Sequence, residues 1–172
     1  PVGVFVPGLF RKYKFSFVGQ LTGKRSYRKP FVESAASLKS LPRYISAFSR
    51  ENQTSLQQYI SILQESVSTI NFCRSVGINQ LKGRVWEALH SGSFLFEESG
   101  SPLEELFTPG VDYETFSTPD ELRDKISFYC TNQKGLRRAE LASAKAYSKL
   151  CSSFNQYNIL KSIFDLLNCR RF

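Results

Sequence analysis

The chain has 172 residues, 41% hydrophobic and 14% aromatic, which is enough to bury a core and too apolar for a disordered segment. Lysine and arginine exceed the acids by 23 to 15, a formal charge of +8 that favours anionic partners without choosing among nucleic acid, phosphate-bearing small molecules and an acidic membrane surface. A lone histidine, His90, and four distant cysteines, Cys73, Cys130, Cys151 and Cys169, argue against a zinc cluster, a disulfide framework or Ser-His-Asp chemistry. They fit buried free thiols in a reducing compartment.

"PVGVFVPGLF" opens the chain, apolar but interrupted by Pro1, Gly3, Pro7 and Gly8 and without a charged flank, so it does not read as a signal peptide. Residues 1–13 are expected to be a linker or edge segment. No methionine occurs, position 1 included, and the expectation is a fragment lacking its native start. No run approaches the roughly 18–20 apolar residues of a spanning helix. "KFSFVGQ" (14–20) alternates Phe15 and Phe17 with smaller residues and reads as a strand closing on a glycine turn. The basic loop "LTGKRSYRK" leads to a helix opened by Pro30 and running to about Ser40. "RYISAFS" (43–49) is a second strand. "TSLQQYISILQES" (54–66) sets Leu56, Tyr59, Ile60 and Leu63 at helical spacing, with Thr54 as cap.

"VSTINFC" (67–73) is a third, β-branched strand. "QLKGRVWEALHSG" predicts a helix over 80–91 that Gly92 ends, and "SFLFEE" a fourth strand. "PLEELF" predicts a short helix and "VDYETFS" a fifth strand. "TPDELRDKISFYCTN" carries a helix start, with Thr118 as cap, Pro119 at the first position and Glu121 completing a capping box. Residues 135–168 read as helical, ending in the stripe Ile159, Leu160, Ile163, Phe164 and Leu167. Strands alternating with helices predict one α/β domain, a Rossmann-like and mostly parallel sheet with helices on both faces. Ligands of such sheets bind beyond the carboxyl ends of the strands. Loops 19–29, 74–82 and 97–101 are therefore the places to search.

The helix expected near Gln80 offers free N–H groups and a positive dipole end, an anion site. Lys82 and Arg84 sit in its first turn, where a helix built for stability alone prefers acids, so the mismatch favours an anionic ligand over solvated charge. Glu87, two turns in, has two readings: an exposed acid paired with Lys82 or Arg84, or a carboxylate accepting from two vicinal hydroxyls, as on a ribose. Glu97 and Glu98 follow the fourth strand, at the ligand edge or simply solvated. Arg74 and Ser75 follow the third strand and line the cleft. His90 reads as a helix-end residue rather than a base, and Trp86 as core or domain-packing surface.

"QLKGRVWEALHSGSFLFEE", continued through "PLEELFTPGVDYETFSTPDELRDKISFYCTN", resembles the group-1 glycosyltransferases of the CgeB-like, spore-maturation type. "FVGQLTGKRSYRK" and "ESVSTINFCRS" resemble the same family, so the likeness runs over about residues 14–150. It implies a GT-B fold of which this chain is the C-terminal, donor-binding half, with the N-terminal acceptor domain absent. It also implies a nucleoside diphosphate sugar as donor and substrate, no cofactor, and an unknown glycan, lipid or protein as acceptor. By position Glu87 matches the glutamate that holds the ribose hydroxyls. Gly83, with the amides around Leu81 and Lys82, matches the diphosphate-binding helix start. Gly19 matches the glycine after the first strand, and Arg25 or Arg28 supplies charge there. One departure stands out: the broader retaining group has E-x7-E, and eight residues before Glu87 stands Asn79, neutral and unable to stabilise a developing cation as Glu would.

The leading expectation is a hexosyl-type glycosyltransferase domain, incomplete by itself, cytoplasmic or peripheral to a membrane. A catalytically inactive nucleotide-sugar-binding or interaction module is the alternative, with Asn79 its best argument. Nucleic-acid binding through "RKYK", "KRSYRK" and "KGLRR" ranks last, because none of these runs carries a recognised module.

Overall fold

A computed structural model describes residues 6–47, 54–75, 77–154 and 158. Five strands form one parallel sheet: β1 (Tyr13–Gly19), β2 (Arg43–Ala47), β3 (Ser66–Asn71), β4 (Phe94–Glu98) and β5 (Glu114–Phe116), in the order β2-β1-β3-β4-β5. The chain steps from β1 out to β2 and returns to place β3 on the other side of β1. That reversal opens a crevice at the carboxyl ends of β1 and β3, where open α/β sheets take their ligands.

The helices are α1 (Lys29–Ala36), α2 (Leu56–Gln64), α3 (Gly83–His90), α4 (Pro119–Thr131) and α5 (Gln133–Ser153), with 3-10 turns at Gly23–Arg28 and Pro102–Glu105. Successive strand residues point to opposite faces, and register divides the sheet cleanly. Phe15 and Phe17, with Ile70, Phe72, Phe94, Phe96 and Phe116, form one face, covered by Val32 and Ala35 of α1 and Leu122, Ile126 and Tyr129 of α4. Phe72 is the hub, edge-on to Phe17, Tyr27, Phe31 and Phe116 at centroid distances of 5.4–6.0 Å. The opposite face packs Leu95 against Val85, Ala88 and Leu89 of α3 and against Ala146 and Leu150 of α5.

Local chemistry explains most ends. Thr118 accepts from the Glu121 N–H at 3.2 Å, while the Glu121 carboxylate reaches back to the Ser117 N–H at 2.8 Å, one residue earlier than the expected box. Ser55, not Thr54, caps α2, accepting from Gln58. Asn132 caps α5 through Lys134 and Gly135, so that helix opens at Gln133 rather than 135. α1 stops at Ala36, short of the expected Ser40. Gly92 ends α3 with φ +65°, as its position predicted.

Arg11 joins the amino-terminal side of the sheet. Its guanidinium donates to the carbonyls of Leu63, Gln64, Ser66, Ser91 and Gly92 at 2.9–3.3 Å, gathering the carboxyl ends of α2 and α3. A cation there also meets both helix dipoles favourably. Cys73 and Cys130 are buried free thiols, whereas Cys151 is exposed. Cys169, the stripe Ile159 to Leu167 and the start of the expected edge segment lie outside the described residues. Among the described residues no helix is long and apolar enough to cross a membrane.

Candidate functional site

A cavity of about 470 Å³ opens over the crevice between β1 and β3. Val18 lies one residue before the end of β1, Asn71 ends β3 and Phe72 follows it; Thr54, Leu56 and Tyr59 come from the approach to α2 and its first turns; Arg25 and Arg28 come from the 3-10 turn; Lys82, Arg84 and Glu87 come from the start and body of α3. Four cations thus face one carboxylate.

Arg28 is the most telling of them. It is 4% exposed, its guanidinium lies 5.2 Å over the Phe72 ring and 5.6 Å from that of Tyr27, and its Nε donates to the Tyr27 hydroxyl at 3.3 Å. Among the described residues no carboxylate pairs with it. A buried guanidinium held only by aromatic faces and one neutral hydroxyl is costly by itself, and an anion in the cavity would offset the cost. Arg25 lies on the same side because residues three apart eclipse in a 3-10 turn. The sequence left open whether Arg25 or Arg28 supplies charge; the fold brings both.

The start of α3 differs from expectation. The helix begins at Gly83 with Lys82 as N-cap, because the Gln80 N–H is used to close the preceding loop onto the Cys73 carbonyl at 3.0 Å. The helix-start amides facing outward are therefore those of Gly83 and Arg84, not those around Leu81. A Cβ placed on Gly83 would meet nothing within 4 Å, so its lack of a side chain is not required by packing. Gly19 is the reverse case: a Cβ there would come within 2.8 Å of the Phe17 ring and 3.2 Å of Arg84 Nη1. Its bareness lets Arg84 cross the end of β1.

Glu87 is held rather than solvated. The Tyr59 hydroxyl donates to Glu87 Oε2 at 2.7 Å and accepts from Arg84 Nε at 3.1 Å, forming a short relay. Burial drives the Tyr59 phenol well above its ordinary pKa, so it stays a donor. The carboxylate keeps Oε1 for another donor. Lys82 donates to Gln80 Oε1 at 2.8 Å, and its ammonium is held below the usual lysine range by partial burial and by Arg25 and Arg28 nearby.

Asn79 stands apart from this cavity. Its amide donates to the Gly100 carbonyl at 2.9 Å, tying loop 74–82 to the turn after β4. Glu97 and Glu98 are both buried, not solvated. Glu97 Oε2 accepts from Asn71 at 2.8 Å across the β3–β4 register, its Oε1 has no hydrogen-bond partner, and burial pushes its pKa up to about 7. Glu98 pairs with Arg74 at 3.0 Å and accepts from the Arg74 N–H. Trp86 packs against Phe107 and Phe154. His90 ends α3, and burial lowers its pKa.

Sequence reasoning missed Tyr59, Leu56 and Asn71. The first two lay on the stripe of α2, and Ile60 and Leu63 of that stripe do enter the core; Leu56 is 66% exposed and Tyr59 turns to Glu87. A cleft of about 560 Å³ at the other end of the sheet involves Arg11, Lys14, Glu140 and Tyr147, but its Arg11 is already committed to carbonyls.

Solved structures with this fold include the C-terminal domain of LpcC, a group 1 glycosyl transferase from Francisella tularensis, at 12% identity and TM-score 0.68, over 90% of this chain and 98% of that one. A TarM variant from S. aureus, solved with fondaparinux, alpha-GlcNAc-glycerol and UDP, matches at 13% identity and TM-score 0.68, over 95% of this chain and 37% of that one. HepE from Anabaena, solved with UDP, matches at 16% and 0.60, over 98% of this chain and 43% of that one. The chain thus spans less than half the length of the latter two, and at these identities the likeness shows the fold. No curated protein matches the sequence. Residues 10–160 match the model of the Glycosyl transferase-like family, and the chain belongs to that family.

Proposed function

We propose that the chain is the donor-binding part of a glycosyltransferase of the CgeB-like subgroup, holding a nucleoside diphosphate sugar in the cavity between β1 and β3. Buried, acid-free Arg28 at the cavity wall carries the reading: a site that keeps such a charge is made for an anion. Glu87 accepts from the ribose hydroxyls through Oε1, its Oε2 being fixed by Tyr59. The diphosphate lies on the amides of Gly83 and Arg84, with Lys82, Arg25 and Arg28 around it. Leu56, Tyr59 and Thr54 continue the cavity past Glu87 and give the base an apolar wall. The same cations stabilise charge growing on the diphosphate as the glycosidic bond breaks. That neighbours of the same fold were solved with UDP supports the reading and suggests a uridine nucleotide. The acceptor, and any catalytic base, come from outside these elements.

Calorimetric titration of UDP, GDP, ADP and CDP tests this on the parent, Glu87→Ala and Arg28→Met. The expected result is selective binding of one nucleotide, weakened at least tenfold, about 1.4 kcal/mol, by either substitution. A folded parent that binds none of the four, or binding indifferent to both substitutions, would overturn it. Asn79 favours a second reading, a module that binds the donor without transferring it: the position carries no acid and its amide is engaged by Gly100. Donor hydrolysis or transfer by the longest available form of the protein separates the two.

A further inference from the structure

A second, smaller cavity of about 220 Å³ adjoins the first, lined by Lys24, Arg25, Tyr27, Arg74, Ser75 and Lys82. Arg25 and Lys82 belong to both cavities and form the wall between them. The order along the surface is therefore fixed. Glu87 and Tyr59 lie at one end, the start of α3 and the shared cations follow, and the second cavity comes next, under loop 74–82. Whatever leaves the diphosphate on the side away from the ribose enters this space.

Its charge is lopsided. Lys24, Arg25, Lys82 and Arg74 converge there, and among the described residues the one acid in contact is Glu98, buried and committed to Arg74 through Nη2 at 3.0 Å and the backbone N–H at 3.0 Å. Among the described residues Lys24 and Arg25 have no carboxylate partner. The cavity is also braced. The Arg74 guanidinium stacks over the Tyr27 ring at 4.9 Å, and the Tyr27 hydroxyl donates to the Arg74 carbonyl at 3.2 Å, fastening the loop to the 3-10 turn. Asn79, drawn off to Gly100, puts no negative charge into it. A diphosphate in the first cavity engages Arg28, Arg84 and the shared pair, which leaves Lys24 and the outward face of Arg74 unanswered. The volume lies below the roughly 300–1,000 Å³ of sites that take whole small molecules, so it suits one charged group.

We propose that this second cavity is an anion subsite, holding one phosphate or carboxylate beyond the diphosphate, carried by the donor's sugar or by the acceptor. The inference rests on the donor-site reading and adds a substrate class to it: the reaction involves an acidic sugar or a phosphate-bearing acceptor. Arg74 and Lys24 grip the group, and Ser75 donates to it.

Calorimetry on the chain tests it in two arms, with Lys24→Gln and Arg74→Lys beside the parent; the second change keeps a cation on Glu98. In the first arm UDP-glucuronate is compared with UDP-glucose. In the second, glycerol 3-phosphate is titrated into UDP-saturated protein. The expected result is at least fivefold tighter binding of the uronate, which places the anion on the donor, or saturable binding of glycerol phosphate, which places it on the acceptor. In either case Lys24→Gln lowers that affinity at least threefold and leaves UDP binding as in the parent. Normal UDP binding with neither preference overturns the subsite and leaves the donor reading intact, as does a preference indifferent to both substitutions. If UDP and the other diphosphates all fail to bind, the donor reading falls and the subsite falls with it.

Discussion

The two faces of the sheet use the same strands for opposite purposes. One carries Phe15, Phe17, Phe72, Phe94, Phe96 and Phe116, closed under α1 and α4. The other, in the same strands one residue out of phase, sets the buried polar residues Ser16, Thr69, Asn71 and Glu97 among the apolar Val18 and Leu95. Hydrophobic burial alone would not choose the second set, because each buried polar group is stabilised only as far as a partner satisfies it. The aromatic face holds the fold at little risk. The polar set leads to the cavity, ends in a half-satisfied carboxyl, and supports the strand ends from which Asn71 and Val18 line the cavity.

Breaking the aromatic face should have the largest effect. Phe72→Ala removes the ring that four aromatic neighbours and the Arg28 guanidinium rest on, and is expected to cost about 3–5 kcal/mol in chemical denaturation. A cost below about 1 kcal/mol would mean that this face does not carry the fold.

The polar face should instead show itself through pH. Burial raises the Glu97 carboxyl to about 7, so the folded chain holds this proton more tightly than the unfolded chain does. The associated stability is complete below pH 4 and is lost as pH rises through 7, a fall of roughly 3 kcal/mol from this group. Glu97→Gln keeps an acceptor for Asn71 and has no proton to lose. It should match the parent at pH 4 and exceed its stability at pH 8; denaturation curves at the two values decide, and a difference between variant and parent that is the same at both would remove the argument.

How much of this could be read in the sequence depends on how far apart the determining contacts lie. The strands were legible because Phe15 and Phe17, or Phe94 and Phe96, repeat at the period of a pleat. Glu87 and the basic residues were legible because they sit within a turn or two of one helix start. The true start of α3 was not, since it depends on Gln80 bonding back to Cys73 across a loop. Asn79 was assigned by counting from Glu87, and only the fold shows that its amide is taken by Gly100. Glu97 and Glu98 read either as ligand-edge acids or as solvated ones past a strand end; they are buried because β4 lies inside the sheet, between β3 and β5. The distinction between Lys24, exposed, and Arg28, buried, needed the 3-10 turn, which composition does not announce.

The smallest expected effect on stability gives the sharpest separation of fold from site. Gly83 opens α3, and a methyl group there meets nothing within 4 Å. Alanine is the better helix residue, so Gly83→Ala should leave stability unchanged or raise it by up to about 1 kcal/mol. If a diphosphate lies against the amides of Gly83 and Arg84, that methyl enters the space the ligand needs, and UDP affinity should fall severalfold. Destabilisation has the opposite signature, since a chain that loses binding by unfolding also loses its denaturation midpoint. Thermal melting and UDP titration on the same sample therefore give two numbers that ought to move apart. Should they stay together, with melting and affinity both as in the parent, the helix start is not where the diphosphate rests, and the cations of the 3-10 turn would have to hold it alone.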